Sequence, residues 1–123
     1  MKVLVVDDSR MIRRVVRSVA EMLDLEFLEA GDGREALEVL AKESADISLV
    51  VLDWNMPRLD GLRCLQRMKA NPRYHDIPVI MFTTESQEER REMAMRCGAA
   101  AYVSKPFTRE TLVTSMMDVL GIE

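Results

Sequence analysis

The sequence predicts a doubly wound α/β protein, a five-stranded parallel sheet covered by helices on both faces. Two patterns carry this prediction. Residues 3–6, 49–52, 79–82 and 101–103 are apolar without alternation, as strands are when both faces of a parallel sheet are covered. Between these runs apolar residues recur at the helical period of about 3.6. Strand and helix therefore alternate five times with short connections, the order of an α/β sandwich.

The first strand, residues 3–6, is cut off by Asp7-Asp8. In the helix expected over residues 9–23, Ile12, Val15, Val16, Val19 and Leu23 form one stripe, while Arg10, Arg13, Arg14 and Arg17 lie opposite. The second strand, residues 26–30, mixes Phe27 and Leu28 with Glu26 and Glu29 and suits a sheet edge. The second helix, residues 33–42, opens with Asp32 followed three residues later by Glu35, and the fourth opens with Ser86 followed by Glu89. Both read as capping boxes. The third helix, residues 60–70, is stopped by Asn71-Pro72, and the fifth, residues 108–120, ends at Gly121. The handedness of parallel crossovers then favours the flavodoxin-like strand order 2-1-3-4-5. In that order the first and third strands are neighbours, and a ligand crevice lies at their carboxyl ends.

A chain of 123 residues fits a single domain, expected to span residues 1–123 with no output domain. Apolar residues make up 48% and charged residues 31%, an ordinary globular balance. A net charge of -4 argues against a nucleic-acid backbone or an anionic membrane as partner. The opening apolar run is far shorter than a membrane span or a signal-peptide core, so a cytoplasmic location is expected. Cys64 and Cys97 have no neighbouring Cys or His at metal-ligand spacing and read as reduced, semi-buried thiols.

Chemistry concentrates at the strand ends. Asp7 and Asp8 follow the first strand, Asp53 ends the third, Thr83 follows the fourth and Lys105 follows the fifth. Each alone has an ordinary structural reading, since Asp and Thr cap helices and turns and an exposed Lys is often a loop charge. Their placement together at the carboxyl edge of one sheet is what points to a site. Three carboxylates in one spot raise one another's pKa or require a cation, and hard oxygen ligands with room for water suit Mg²⁺.

Asp7-Asp8, Asp53 followed by Trp54-Asn55-Met56-Pro57 and Asp60-Gly61, Thr83, and Lys105-Pro106-Phe107 together resemble the signature of the receiver domains of two-component response regulators. The resemblance spans the chain and is strongest to the stand-alone chemotaxis type. It implies that Asp53 accepts a phosphoryl group from a sensor histidine kinase, with Thr83 and Lys105 binding phosphoryl oxygens. Mg²⁺ would be held by Asp8, Asp53 and the backbone carbonyl of Asn55, with Asp7 acting through water. Thr83 and Tyr102 would form the switch, and Asn55, Thr84 and Glu85 would be modulating residues around the site. The Lys105-Pro106 bond is expected to be cis. A downstream protein would dock on the face formed by the fourth helix, fifth strand and fifth helix, and the molecule would be a monomer.

Some features stay open. Thr84 stands where the family usually has Ala or Gly, and its branched side chain would crowd the hydrolytic water. The arginines of the first helix are most simply a solvated face, with docking of an acidic partner as the other reading. The ten methionines fill the core or make partner-binding helices adaptable. His75 has no partner group evident in the sequence. The main alternative function is an aspartyl-phosphate-forming phosphatase or phosphotransferase, although Asn55 occupies the position where haloacid-dehalogenase-like enzymes carry a second acid or base. A phosphorelay carrier and a flavin-binding protein of the same fold are the remaining alternatives.

Overall fold

The computed structural model describes residues 1–84 and 88–122. Five strands, β1 (Lys2–Val6), β2 (Glu26–Ala30), β3 (Ile47–Asp53), β4 (Val79–Thr83) and β5 (Ala101–Ser104), form one sheet in the order 2-1-3-4-5. Every pairing is parallel. The helices are α1 (Arg10–Met22), α2 (Gly33–Glu43), α3 (Gly61–Ala70), α4 (Glu88–Arg96) and α5 (Arg109–Leu120). The doubly wound fold expected from the sequence is the one observed.

Alternate residues of each central strand enter opposite cores, as a pleated strand dictates. Val3 and Val5 of β1, Leu49 and Val51 of β3, and Ile80 and Phe82 of β4 pack with Val16 and Val19 of α1 and Leu112 and Met116 of α5. Leu4, Val6, Val50, Leu52 and Met81 face the other way, against Ala36 and Leu40 of α2, Cys64, Leu65 and Met68 of α3, and Ala94 of α4. β2 is one of the two edge strands, with Glu26 and Glu29 exposed and only Ala30 fully buried.

Helix starts follow the capping chemistry. The side chains of Ser9, Asp32, Asp60 and Thr108 accept the backbone N–H three residues on and cap α1, α2, α3 and α5. The Asp32–Glu35 box is modified, because Glu35 Oε2 accepts from Gly31 N–H at 3.0 Å and so reaches one residue before the cap. The expected Ser86 cap lies outside the described residues. Gly121 ends α5 in the left-handed region, at φ 70°.

Several boundaries differ from the sequence expectation by one or two residues, most at the start of β3. β3 begins at Ile47 because Ile47 is buried although Ser48 interrupts the apolar run. A 3₁₀ turn at Ser44–Asp46 fills the preceding connection. Among the described residues no helix is long and apolar enough to cross a membrane. Both thiols are free, and burial pushes the Cys64 thiol up to about 12.

Candidate functional site

Strand register assembles the site. Val6 pairs with Leu52 and Asp53 with Phe82, so Asp7 and Asp53 stand level on adjacent strands. Thr83, paired with Ser104, lies one residue further along β4. Asp7, Asp53 and Thr83 are buried, whereas Asp8 is exposed. One carboxylate oxygen from each of Asp7, Asp8 and Asp53 lies within 4.8 Å of the others.

Asp7 is bound through both oxygens. Its Oδ1 accepts from Ser9 N–H at 2.8 Å, and its Oδ2 accepts from Lys105 Nζ at 2.8 Å. The same ammonium stands 3.3 Å from Asp53 Oδ1. Lys105 is brought there by β5, its own N–H donating to the Thr83 carbonyl at 2.7 Å, and the Lys105–Pro106 bond is cis. Phe107 packs its ring against Phe82 at 4.8 Å between centroids.

Burial is the main force raising Asp53, whose carboxyl is pushed up to about 6. Asp7 adds to that rise, the charge and hydrogen bond of Lys105 oppose it, and Asp8 adds a smaller upward push. For Lys105, burial acts to lower the pKa, but the hydrogen bond to Asp7 and the charges of Asp53 and Asp7 together outweigh it and hold the ammonium above its usual range. Three carboxylates thus face one ammonium. The donors are all oxygens, Asp8 is open to solvent, and burial makes the charged form of Asp53 costlier than that of a free carboxylate. A hard divalent cation that keeps some of its water fits such a pocket.

The loop between β3 and α3 is fixed by close backbone approach. Gly61 N–H donates to the Trp54 carbonyl at 2.8 Å, and a Cβ on Gly61 would fall 2.0 Å from the Asp53 carbonyl oxygen. Only glycine fits there, which explains the Asp60-Gly61 pair physically. Asn55, within this loop, is exposed.

Tyr102 pairs with Met81, and Thr83 is two residues beyond Met81, so Tyr102 and Thr83 point to the same face of the sheet. Tyr102 is half-buried against the core on the α2–α3–α4 side. Thr84 is exposed beside the site, and Glu85 lies outside the described residues.

Three residues make contacts that were not read from the sequence. Arg13 is not part of a solvated face: its Nε binds Glu29 Oε1 at 2.8 Å and its Nη1 donates to the Asp7 carbonyl at 2.6 Å. Its side chain is 15% exposed, against 61% for Arg17. Arg90 of α4 stacks on the Trp54 ring at 4.9 Å. His75 Nδ1 lies 3.1 Å from Asp76 Oδ1, so His75 does have a neighbour, one remote from the site in sequence. The methionines divide between the two roles considered, with Met68, Met81 and Met116 in the core and Met93 and Met95 exposed on α4.

The model of the response regulator receiver domain matches residues 3–117. The chain belongs to the response regulator receiver family. This receiver is of the CheY-like chemotaxis type, a phosphoacceptor switch. It is similar to the chemotaxis protein CheY homolog of Campylobacter jejuni, 39% identical over 98% of this chain and 93% of that protein. It is also similar to chemotaxis protein CheY4 of Vibrio cholerae, at 35% identity and a TM-score of 0.88 over 97% of this chain and 98% of that one. A third similarity is to the CheX-CheY-BeF3-Mg+2 complex from Borrelia burgdorferi, at 27% identity and a TM-score of 0.91 over 97% of this chain and 88% of the matched chain.

Proposed function

We propose that this receiver accepts a phosphoryl group on Asp53 from a histidine kinase and, once modified, binds a downstream protein. One observation carries the assignment: buried Asp53 stands level with Asp7 at the end of the central strands, with the Lys105 ammonium 3.3 Å away. Asp8, Asp53 and the Asn55 carbonyl would hold Mg²⁺ directly, and Asp7 through water. When bound, the ion neutralises charge on the transferring phosphoryl oxygens.

The chain's own groups do the rest. A carboxylate oxygen of Asp53 attacks phosphorus in line, and the P–N bond to the donor imidazole breaks, its electron pair leaving with the imidazole. Lys105 turns its ammonium to one phosphoryl oxygen, and Thr83 donates its hydroxyl to another. Drawing Thr83 toward the phosphoryl group opens space on the sheet face that it shares with Tyr102. The Tyr102 ring then turns inward and changes the surface formed by α4, β5 and α5. Asn55, Thr84 and Glu85 modulate the site, and the branched side chain of Thr84 crowds the hydrolytic water and so lengthens the stay of the phosphoryl group.

On this reading the receiver is a cytoplasmic monomer that catalyses only its own phosphorylation and dephosphorylation. It acts by protein contact rather than on nucleic acid or membrane. The Borrelia assembly, in which a CheY is joined by CheX, supports a protein partner. Acetyl phosphate with Mg²⁺ tests the acceptor: peptide mapping by mass is expected to find one phosphoryl group, on Asp53. A phosphoryl group that persists in Asp53→Asn overturns the assignment.

A further inference from the structure

The loop from Trp54 to Asp60 contains an ion pair that the proposed chemistry does not use. The loop's two ends are tied together, since Trp54 N–H donates to the Phe82 carbonyl at 2.9 Å and the Trp54 carbonyl accepts from Gly61. Its far limb rests on α2, where Leu59 is buried and a Cβ on Gly33 would meet the Leu59 carbonyl oxygen at 2.6 Å. Between these anchors Asn55, Pro57 and Arg58 are exposed.

Arg58 sits in the left-handed region at φ 65°, a conformation that disfavours any residue with a Cβ. Its Nη2 nevertheless lies 2.9 Å from Asp32 Oδ2. The Asp32 side chain is only 5% exposed, and its other oxygen caps α2 by accepting from Glu35 N–H at 2.8 Å. Glycine would adopt this backbone without strain. It would also leave the Asp32 carboxylate buried without a cation partner, and it would give the exposed stretch a flexible joint.

We infer that Arg58 is a positioning residue for the cation site: paired with Asp32, it fixes the far limb of the loop, limits the freedom of the short stretch back to the Asn55 carbonyl, and so sets the affinity of the acidic pocket for a divalent cation. This rests on the cation site proposed above. Supporting groups around a metal site typically change affinity by about 10- to 100-fold when removed. An indirect tether from α2 belongs at or below the low end of that range.

Charge alone predicts the opposite sign. If Arg58 acted only through its field, removing a positive charge near three carboxylates would tighten cation binding. Positioning requires that binding weaken.

Isothermal titration calorimetry with Mg²⁺ on the full chain separates the two, using the parent, Arg58→Gly, Arg58→Lys, Asp32→Asn and the Arg58→Gly/Asp32→Asn double variant. Urea midpoints in EDTA monitor folding. Asn still caps α2, so Asp32→Asn removes the ion pair and spares the helix start. The expected result is binding weakened about fivefold or more by Arg58→Gly and by Asp32→Asn, with no further loss in the double variant and partial recovery in Arg58→Lys. Unchanged or tighter binding in Arg58→Gly, with the parent binding normally, overturns the inference. A parent that does not bind Mg²⁺ instead overturns the cation site, and the inference falls with it.

Discussion

Lys105 Nζ lies 2.8 Å from Asp7 Oδ2 and 3.3 Å from Asp53 Oδ1, so the ammonium makes its shorter contact with the acceptor's neighbour and a longer one with the acceptor itself. Asp53 is therefore incompletely neutralised, which agrees with a carboxyl pushed up to about 6 chiefly by burial. The same ammonium is placed to shift toward a phosphoryl oxygen without leaving the site.

Asp53→Asn is expected to stabilise the metal-free protein at neutral pH. The folded-state pKa of Asp53 lies above its unfolded value, so its contribution is fully present below about pH 4 and is lost as pH rises through about 6. At pH 7.5 the variant should exceed the parent by on the order of 1–3 kcal/mol. The difference should vanish near pH 4 and shrink when Mg²⁺ is added. Urea denaturation in EDTA across this range checks it, and equal stabilities at every pH would contradict it.

Lys105→Met should affect the two functions of the pocket in opposite directions. It removes a cation that competes for Asp7 and Asp53, so Mg²⁺ binding should tighten by roughly threefold or more. It also removes a donor to the phosphoryl group, so phosphorylation by acetyl phosphate should slow by on the order of 100-fold. Calorimetry and the time course of intact mass measure the two effects. Parallel losses in both would show that the lysine acts only by holding the fold.

The strand ends were legible because continuous apolar runs stop at charged or hydroxyl residues: Val6 before Asp7, Leu52 before Asp53 and Phe82 before Thr83. With parallel crossovers constrained in hand, those ends had to meet. The inward turn of Arg13 was not legible. Helical periodicity assigned it to the outer face, but a long side chain at that face's border reaches Glu29 and the Asp7 carbonyl. Nor does any glycine or asparagine mark Arg58 as left-handed, because that conformation is stabilised by Asp32, distant in sequence. The Arg90–Trp54 stack is likewise a tertiary contact with no local pattern.

Gly61→Ala should be among the most damaging small substitutions in the chain. The added methyl would fall 2.0 Å from the Asp53 carbonyl oxygen, so the start of α3 and the end of β3 must separate. A loss of about 3 kcal/mol is expected. At Gly31 the nearest atom to an added Cβ is the Glu35 carboxylate at 3.5 Å, and Gly31→Ala should cost much less. Chemical denaturation of both variants provides the comparison, and similar losses would show that the backbone approach at Gly61 is not limiting.

Thr84→Ala should shorten the life of the phosphorylated state. Thr84 is exposed immediately after buried Thr83, and a branched side chain there would crowd the path proposed for water. Decay of the phosphorylated mass should accelerate by about three- to tenfold, the scale of a modest steric barrier of 0.7–1.4 kcal/mol. Equal or slower decay would assign control of hydrolysis to other residues.

The central claim, that cation and phosphoryl group meet at Asp53, is tested most directly by the fluorescence of Trp54, the sole tryptophan, next to the acceptor and stacked under Arg90. A Mg²⁺ titration followed by acetyl phosphate should give a metal-dependent change and then a second, donor-dependent change that is absent from Asp53→Asn. No change at either step, together with an unchanged intact mass, would contradict it.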